Sequence, residues 1–277
     1  MTVTYKELQK VEKKLFLEFI KICEENQLTW FVLGGTVLGA VRHKGFIPWD
    51  DDIDVAMPRE DYERFLNIAQ EELPSNMFLQ TYKTDENYPH IFAKIRKSDT
   101  TFIETSVSLI NMNHGVYLDV FPLDGYPKSK VSQKIFHLKE KILKIAISEV
   151  FKDEKGSGIS VKKILKNTIA KTIPCRNAVK KLDSLYKKYS YNDSKKVANF
   201  GGAWGKKEIM AKEIFGNGIQ GEFEGNKVIL PEKTHEYLTL LYGDYMILPP
   251  LEKRISHHHC TIIDLENSYT KYKDSKN

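Results

Sequence analysis

Two stretches decide the reading of this chain: Trp30-Phe31-Val32-Leu33-Gly34-Gly35-Thr36 and Asp50-Asp51-Asp52-Ile53-Asp54-Val55-Ala56-Met57. The apolar run before Gly34 has the content of a short buried strand, and the glycine pair marks a tight turn. Thr36–Arg42 then carries small and apolar residues at helical spacing, until Gly45 and Pro48 stop it. Asp50–Met57 reads as a second strand with acids at its entrance. On such a strand Asp52 and Asp54 share one face, about 7 Å apart along the chain, while Ile53 and Val55 face the core.

Four carboxylates this close repel one another, and at least one must take up a proton unless a cation sits among them. A third acid, Asp119, lies alone in the equally apolar run Val116–Phe121 and needs a partner there. Asp52, Asp54 and Asp119 are therefore the candidate metal ligands and catalytic acids. Oxygen-only ligands favour Mg²⁺, or Mn²⁺, over Zn²⁺. The competing reading makes the cluster a turn former and Asp119 the partner of an arginine. Gly34, Gly35 and Thr36 offer bare backbone N–H groups at the positive end of a helix, which suits a phosphate. A held phosphate together with metal charge is what phosphoryl transfer requires. Arg42, beside His43 and Lys44, ends the short helix, and Lys94, Arg96 and Lys97 follow one another on a predicted strand. Either set suits a diphosphate clamp, with ordinary salt bridges to the aspartates as the alternative.

Outward from this centre, Leu8, Val11, Leu15, Phe19, Ile22 and Cys23 predict an amphipathic helix over Tyr5–Asn26. Pro58 opens another, with Tyr62, Phe65, Leu66 and Ala69 as its buried face. Strands are predicted at Phe78–Tyr82, Ile91–Arg96, Thr101–Glu104, Val116–Phe121 and Val228–Leu230. From Ser129 a helical stripe runs through Val131, Ile135, Leu138, Ile142, Ile145 and Ala146, with lysines opposite. Lys152–Ser160 reads as a linker, and a second lysine-rich helical pair extends to about Tyr191. A last helix is expected from Pro231 to Tyr242, with Gly243 as its stop. Such mixing of elements describes an α/β or α+β fold.

The 277 residues carry 42 basic and 37 acidic side chains, but the net charge of +5 hides an asymmetry. Residues 128–196 hold 19 basic and 6 acidic groups, a net of +13, and the rest of the chain is at −8. Hydrophobic residues at 41% and aromatics at 11% fit a folded core and exclude a disordered chain. No apolar signal segment and no membrane-spanning run appears. Cys23, Cys175 and Cys260 are odd in number and widely spaced, as expected of free thiols in the cytoplasm. His257-His258-His259-Cys260 is a poor zinc site, because consecutive residues converge badly on one ion.

The block Gly34-Gly35-Thr36 with Leu38-Gly39-Ala40-Val41-Arg42-His43-Lys44-Gly45-Phe46-Ile47-Pro48-Trp49-Asp50-Asp51-Asp52-Ile53-Asp54 resembles the signature of the LicD family of phosphocholine transferases. That family belongs to the DNA polymerase beta-like nucleotidyltransferase superfamily and includes the fukutin-related sugar-phosphate transferases. The likeness continues in Lys94-Ile95-Arg96-Lys97, in Leu118-Asp119-Val120-Phe121-Pro122-Leu123-Asp124, and in Tyr242-Gly243-Asp244-Tyr245-Met246 with Pro249-Pro250. It implies a nucleotidyltransferase-like mixed sheet flanked by helices, with a core over 1–127, a basic helical insertion over 128–196 and a return over 197–277. Gly34-Gly35 would be the superfamily's glycine pair, Asp52 and Asp54 its paired metal-binding acids, and Asp119 its third carboxylate. Sixteen residues separate Gly35 from Asp52, more than in many nucleotidyltransferases, which leaves Asp51 as an alternative to Asp52.

The resemblance further implies transfer of phosphocholine, or a similar phosphoalcohol, from CDP-choline or another CDP-alcohol to a sugar hydroxyl of a bacterial surface glycan, lipopolysaccharide or teichoic acid precursor, with release of CMP. A true nucleotidyltransferase releasing pyrophosphate and an inactive binding protein on the same fold are the alternatives. A choline head wants an aromatic face, for which Trp49, Tyr62, Tyr117, Phe121 and Trp204 are candidates. Glu104 is a candidate for binding an acceptor hydroxyl, or for a surface ion pair. The basic segment lacks a nucleic-acid motif, so nucleic acid is not the expected partner. It reads either as a solvated cap or as a peripheral contact with the anionic inner face of the membrane, where lipid-linked acceptors would lie.

Overall fold

The computed structural model describes residues 3–151, 172–255 and 259–272. The predicted linker Lys152–Ser160 and the pair His257 and His258 lie outside these residues. Helix α1 (Tyr5–Glu25) opens on a capping box in which Thr4 and Glu7 satisfy each other's backbone, and buries Leu8, Leu15, Phe16, Phe19 and Ile22. It packs across the central strand of the sheet and against α3 (Arg59–Glu72). The main sheet runs β1 (Phe31–Val32), β2 (Asp54–Pro58), β6 (Val116–Gly125), β4 (Ala93–Lys97), β3 (Met77–Gln80). β2 and β6 are parallel and the remaining pairs antiparallel. The far end of β6 also pairs with β7 (Lys196–Ala198), which carries β8 (Ile209–Ala211). Two small antiparallel pairs complete the strands: β9 (Ile219–Phe223) with β10 (Asn226–Leu230), and β5 (Thr101–Glu104) with β11 (Cys260–Asp264). The mixed α/β class expected of the sequence is observed.

Boundaries differ where chain geometry outweighs pattern. β2 begins at Asp54, not Asp50; residues 50–53 keep the alternating burial of a strand but lie outside its paired register, with only the Ile53 carbonyl bonded to β6, through the Asp119 N–H at 3.1 Å. Helix α2 (Gly34–Arg42) begins at the glycines themselves, because Gly34 adopts φ +49, a conformation that costs glycine little. The last helix, α6, starts at Thr234 rather than Pro231 and ends at Tyr242, with Gly243 at φ +71.

The helix expected from Ser129 is α4 (Lys130–Ser148), capped by the Ser129 side chain, and its apolar residues divide between two faces. The stripe Val131, Ile135 and Leu138 is 68%, 50% and 61% exposed, and Ile142 joins it at 37%. Phe136, Leu143, Ala146 and Ile147 are buried instead. They pack on α5 (Cys175–Tyr186) in a second apolar cluster with Tyr126, Val179, Leu182 and Phe200. The helix is apolar on two faces, and the stacked rings of Tyr186 and Phe200, 4.4 Å apart, occupy the other one. Among the described residues, no helix is long and apolar enough to cross a membrane.

A buried ion network ties this cluster to the sheet. Arg59 donates to both oxygens of Asp124 at 2.7 and 2.6 Å and to Asp183 of α5 at 3.1 Å. Lys187 and the Tyr82 hydroxyl complete Asp183, both at 2.7 Å. Asp124 is fully buried, so removing Arg59 strands its charge. Arg59→Met is expected to destabilise the chain by about 3–5 kcal/mol, and the double variant Arg59→Met/Asp124→Leu to recover most of that loss in urea unfolding.

Candidate active site

The site is built from one row across the sheet. β6 places Asp119 opposite Asp54 of β2 and opposite Lys94 of β4. The Asp54 backbone holds this edge: its N–H donates to Thr36 Oγ1 at 2.9 Å and its carbonyl accepts from Leu33 at 2.9 Å. Lys94 is buried, with Nζ 2.8 Å from Asp119 Oδ1 and 3.1 Å from Oδ2. The same ammonium lies 3.3 Å from the centre of the Tyr117 ring and 4.0 Å from Glu104. Burial pushes the Asp119 carboxyl above the usual aspartate range, with Lys94 opposing the shift. Glu104, reached through β5, thus stands at the rim of the acid row rather than on an isolated surface pair.

The glycine turn faces the acids directly. A Cβ on Gly34 would lie 3.2 Å from Asp54 Oδ2, and one on Gly35 would lie 2.7 Å from Asp50 Oδ2. Two carboxylates therefore crowd the N-terminal end of α2, where the helix field favours negative charge. The Gly34 N–H already donates to the Tyr237 hydroxyl at 2.9 Å. Asp50, Asp51 and Asp52 each offer a carboxylate oxygen within 4.8 Å of the others, a hard-donor group suited to Mg²⁺ or Mn²⁺. The structure thus brings Asp54 and Asp119 together in register and gathers Asp52 with Asp50 and Asp51. Tyr242 is close to both groups: burial raises its phenol, and Asp54, Asp50 and Asp52 raise it further.

Arg42 lies at the other end of α2, donating to the Tyr245 carbonyl at 2.8 Å and to His43 Nε2 at 2.9 Å. Burial lowers its pKa, and the neighbouring Arg254 lowers it again. Arg254 sits 5.4 Å over the Trp49 ring. Two guanidiniums near enough to feel each other's charge, one of them over Trp49 of the acid-bearing loop, suit an anion. Arg96, by contrast, is fully enclosed, donating to Gln80 at 2.7 Å and to the Gly115 carbonyl at 2.8 Å. Of the five candidate aromatic faces, Tyr62, Tyr117 and Phe121 are buried, while Trp49 is partly open and Trp204 is 41% exposed. Trp204 packs edge-on to Tyr242, with ring centres 4.9 Å apart.

Sequence reasoning missed Arg254, Tyr237 and the role of Tyr242. All three lie far along the chain from both the Asp50–Asp54 cluster and Asp119, and although Tyr242 opens the family-like stretch Tyr242–Met246, nothing local to it marks a role beside the acids.

With this geometry in view, the comparisons with known proteins are specific. The model of the family described as LicD/FKTN/FKRP, nucleotidyltransferase domain, matches residues 27–153, a span holding α2, the acid cluster and Asp119. The lipopolysaccharide cholinephosphotransferase LicD of Haemophilus influenzae is 31% identical over 262 residues, covering 92% of this chain and 96% of that protein. The chain belongs to the LicD family. Two uncharacterised rickettsial proteins share only short segments with this LicD-family chain. The one from Rickettsia typhi is 42% identical over 48 residues, 17% of this chain and 16% of its own. The one from Rickettsia prowazekii is 44% identical over 41 residues, 15% of each.

One buried acid of this LicD-family chain titrates near neutrality. Glu208 accepts from the Trp204 N–H at 3.1 Å, and burial pushes its carboxyl up to about 7 from 4.5. The folded chain therefore prefers Glu208 protonated. That contribution is full below about pH 4.5 and is lost as pH rises through about 7. Unfolding free energy should fall by on the order of 3 kcal/mol across this window. Glu208→Gln should flatten the dependence, as read by urea unfolding at about pH 5 and about pH 8.

Proposed function

We propose that this chain transfers phosphocholine from a CDP-linked donor, CDP-choline or a related CDP-alcohol, to a sugar hydroxyl of a lipopolysaccharide or similar surface-glycan precursor. The observation that carries the reading is the Asp54–Asp119–Lys94 row set against the glycine start of α2. The near full-length similarity to the cholinephosphotransferase of Haemophilus influenzae supports the group transferred and the acceptor class. In the reaction, the acceptor oxygen bonds to the choline-bearing phosphorus, and the bond from that phosphorus to the oxygen shared with CMP breaks. CMP leaves with the electron pair, and the acceptor proton passes to a carboxylate.

Asp119 is our candidate for that carboxylate: its raised pKa favours taking a proton, and Lys94 holds its orientation. Asp52 and Asp54 would hold Mg²⁺ or Mn²⁺, with Asp50, Asp51 and Asp119 beside them. Bound there, the cation supplies positive charge to the phosphate oxygens that gain charge during transfer. Arg42 and Arg254 orient the diphosphate from the far end of α2. Gly35 and Thr36 present their backbone N–H groups to the same anion. Trp49 and Trp204 are the open aromatic faces suited to the choline cation.

Asp52→Asn and Asp54→Asn are each expected to keep the wild-type thermal midpoint and to lose CMP release by roughly a hundredfold or more. Retained turnover in either removes the assignment of these acids. Mass analysis of the glycan product should find added phosphocholine. Added CMP with free pyrophosphate would instead mark a nucleotidyltransferase.

We also place the chain at the anionic inner face of the membrane, docked through α4. Val131, Ile135, Leu138 and Ile142 form its exposed apolar stripe, and Lys134 and Lys139 flank it in sequence, an arrangement that suits insertion of the stripe with lysines at the headgroups. Sedimentation with anionic vesicles at low salt should recover the wild-type chain and lose Ile135→Glu/Leu138→Glu. A wild-type chain left in the supernatant excludes this docking.

A further inference from the structure

Behind the acid site lies a cavity of about 550 Å³ that the chemistry above does not use. One wall is the flank of α4, with His137, Lys141 and Lys144, and the other is the chain from Asn199 through Phe200 to Lys206. Its size falls in the range of sites for small ligands, about 300–1,000 Å³.

Two contacts make its inner wall the back of the acid site. A Cβ on Gly201 would meet Phe92 at 2.9 Å and Phe121 at 3.1 Å, and Phe92 itself lies 5.6 Å from the Lys94 ammonium. Trp204 packs on Tyr242, whose phenol senses Asp54. The turn 200–205 is thus a thin partition between the cavity and the reacting groups.

The cavity is also charged in one sense. The one acid among the described lining residues, Glu140, is already engaged by His137, Lys144 and the Tyr186 hydroxyl, each at 2.9 Å. Lys141 and Lys206 form no ion pair among the described residues. Phe200, stacked on Tyr186, and Asn199, which accepts from the Gly201 N–H, are buried and close the floor of the cavity.

We infer that this cavity is the acceptor subsite and takes an anionic sugar, a phosphate- or carboxylate-bearing residue of the glycan next to the one that is modified. The inference rests on the proposed transfer to a glycan and adds where the glycan sits and what charge selects it. Lys141 and Lys206 would be its charge-reading residues, and the neighbouring sugar that carries the reactive hydroxyl would extend around the turn 200–205 to reach Asp119.

The test is calorimetric titration of the full chain, which reads binding without turnover. The probes are oligosaccharide released from lipopolysaccharide by deacylation and the same oligosaccharide after phosphatase treatment. The wild-type chain is expected to prefer the phosphorylated form by about tenfold or more, with the preference shrinking as salt rises. Lys141→Glu/Lys206→Glu should erase that preference, and Lys141→Arg/Lys206→Arg should keep it. CDP-choline, titrated in competition, should leave oligosaccharide binding in place. Equal affinity for the two probes in the wild-type chain overturns the inference, as does a preference that survives charge reversal. Displacement by CDP-choline also overturns it, by assigning the cavity to the donor. Oligosaccharide binding that behaves as expected, in a chain that never cleaves CDP-choline, would uphold the cavity and refute the donor instead.

Discussion

Strand β6 has to bury two carboxylates, and most of the molecule follows from how it does so. All ten of its residues are buried, and Asp119 and Asp124, five positions apart, point to opposite faces of the pleat. Each charge needs a cation brought from elsewhere, since an unpaired buried carboxylate costs several kcal/mol, roughly 3–5 by the measured loss of such partners. Lys94 serves one face, and Arg59 serves the other. The first pairing fixes β4 beside β6 and makes a reactive centre. The second fixes the start of α3 and the position of α5, so the helical cluster and the site are held by the same strand.

The acid cluster and the glycine turn answer each other in a similar way. Carboxylates from Asp50 and Asp54 sit where any side chain on Gly35 or Gly34 would stand. Glycine is required here by close approach as much as by the positive φ of Gly34. The field at the end of α2 offsets part of the repulsion among the acids, and a divalent cation would offset more. The same loop carries Trp49 to Arg254, which stands beside Arg42, so the negative and positive halves of the proposed donor site are set by one short connection.

The sequence was legible wherever local pattern and local chemistry coincided. Thr101–Glu104 was readable as a strand, Phe31–Val32 and the start of β6 from their apolar runs, and α1 from its period, whereas β2 was expected to start at Asp50 and Pro58 to open the next helix. Asp54 and Asp119 were readable as candidates because charges on apolar strands are costly, and Lys94 as one of a run of cations suited to a diphosphate. Their register was not, since pairing is a property of two strands. The two apolar faces of α4 show the limit from the other side. The pattern there supports burial of either face, and the choice was made by Tyr186 and Phe200, which lie about 40 to 60 residues further along. Arg96 looked like Lys94 in sequence, yet it is enclosed, because its partners Gln80 and Gly115 come from β3 and from the loop before β6.

The bond from the Gly34 N–H to the Tyr237 hydroxyl joins residues 203 positions apart. Seen from the ribosome, the glycine turn and its acids emerge first, and the tyrosine that fastens them follows 203 residues later. The strand pair β5–β11 closes late in the same way. A nascent chain therefore carries a crowded set of carboxylates over that interval without the groups that hold them. Contacts of such long sequence separation also slow folding, because the loop must close before the contact can stabilise anything. A chain ended before Tyr237 would hold the acids without the group that fastens the glycine turn beside them.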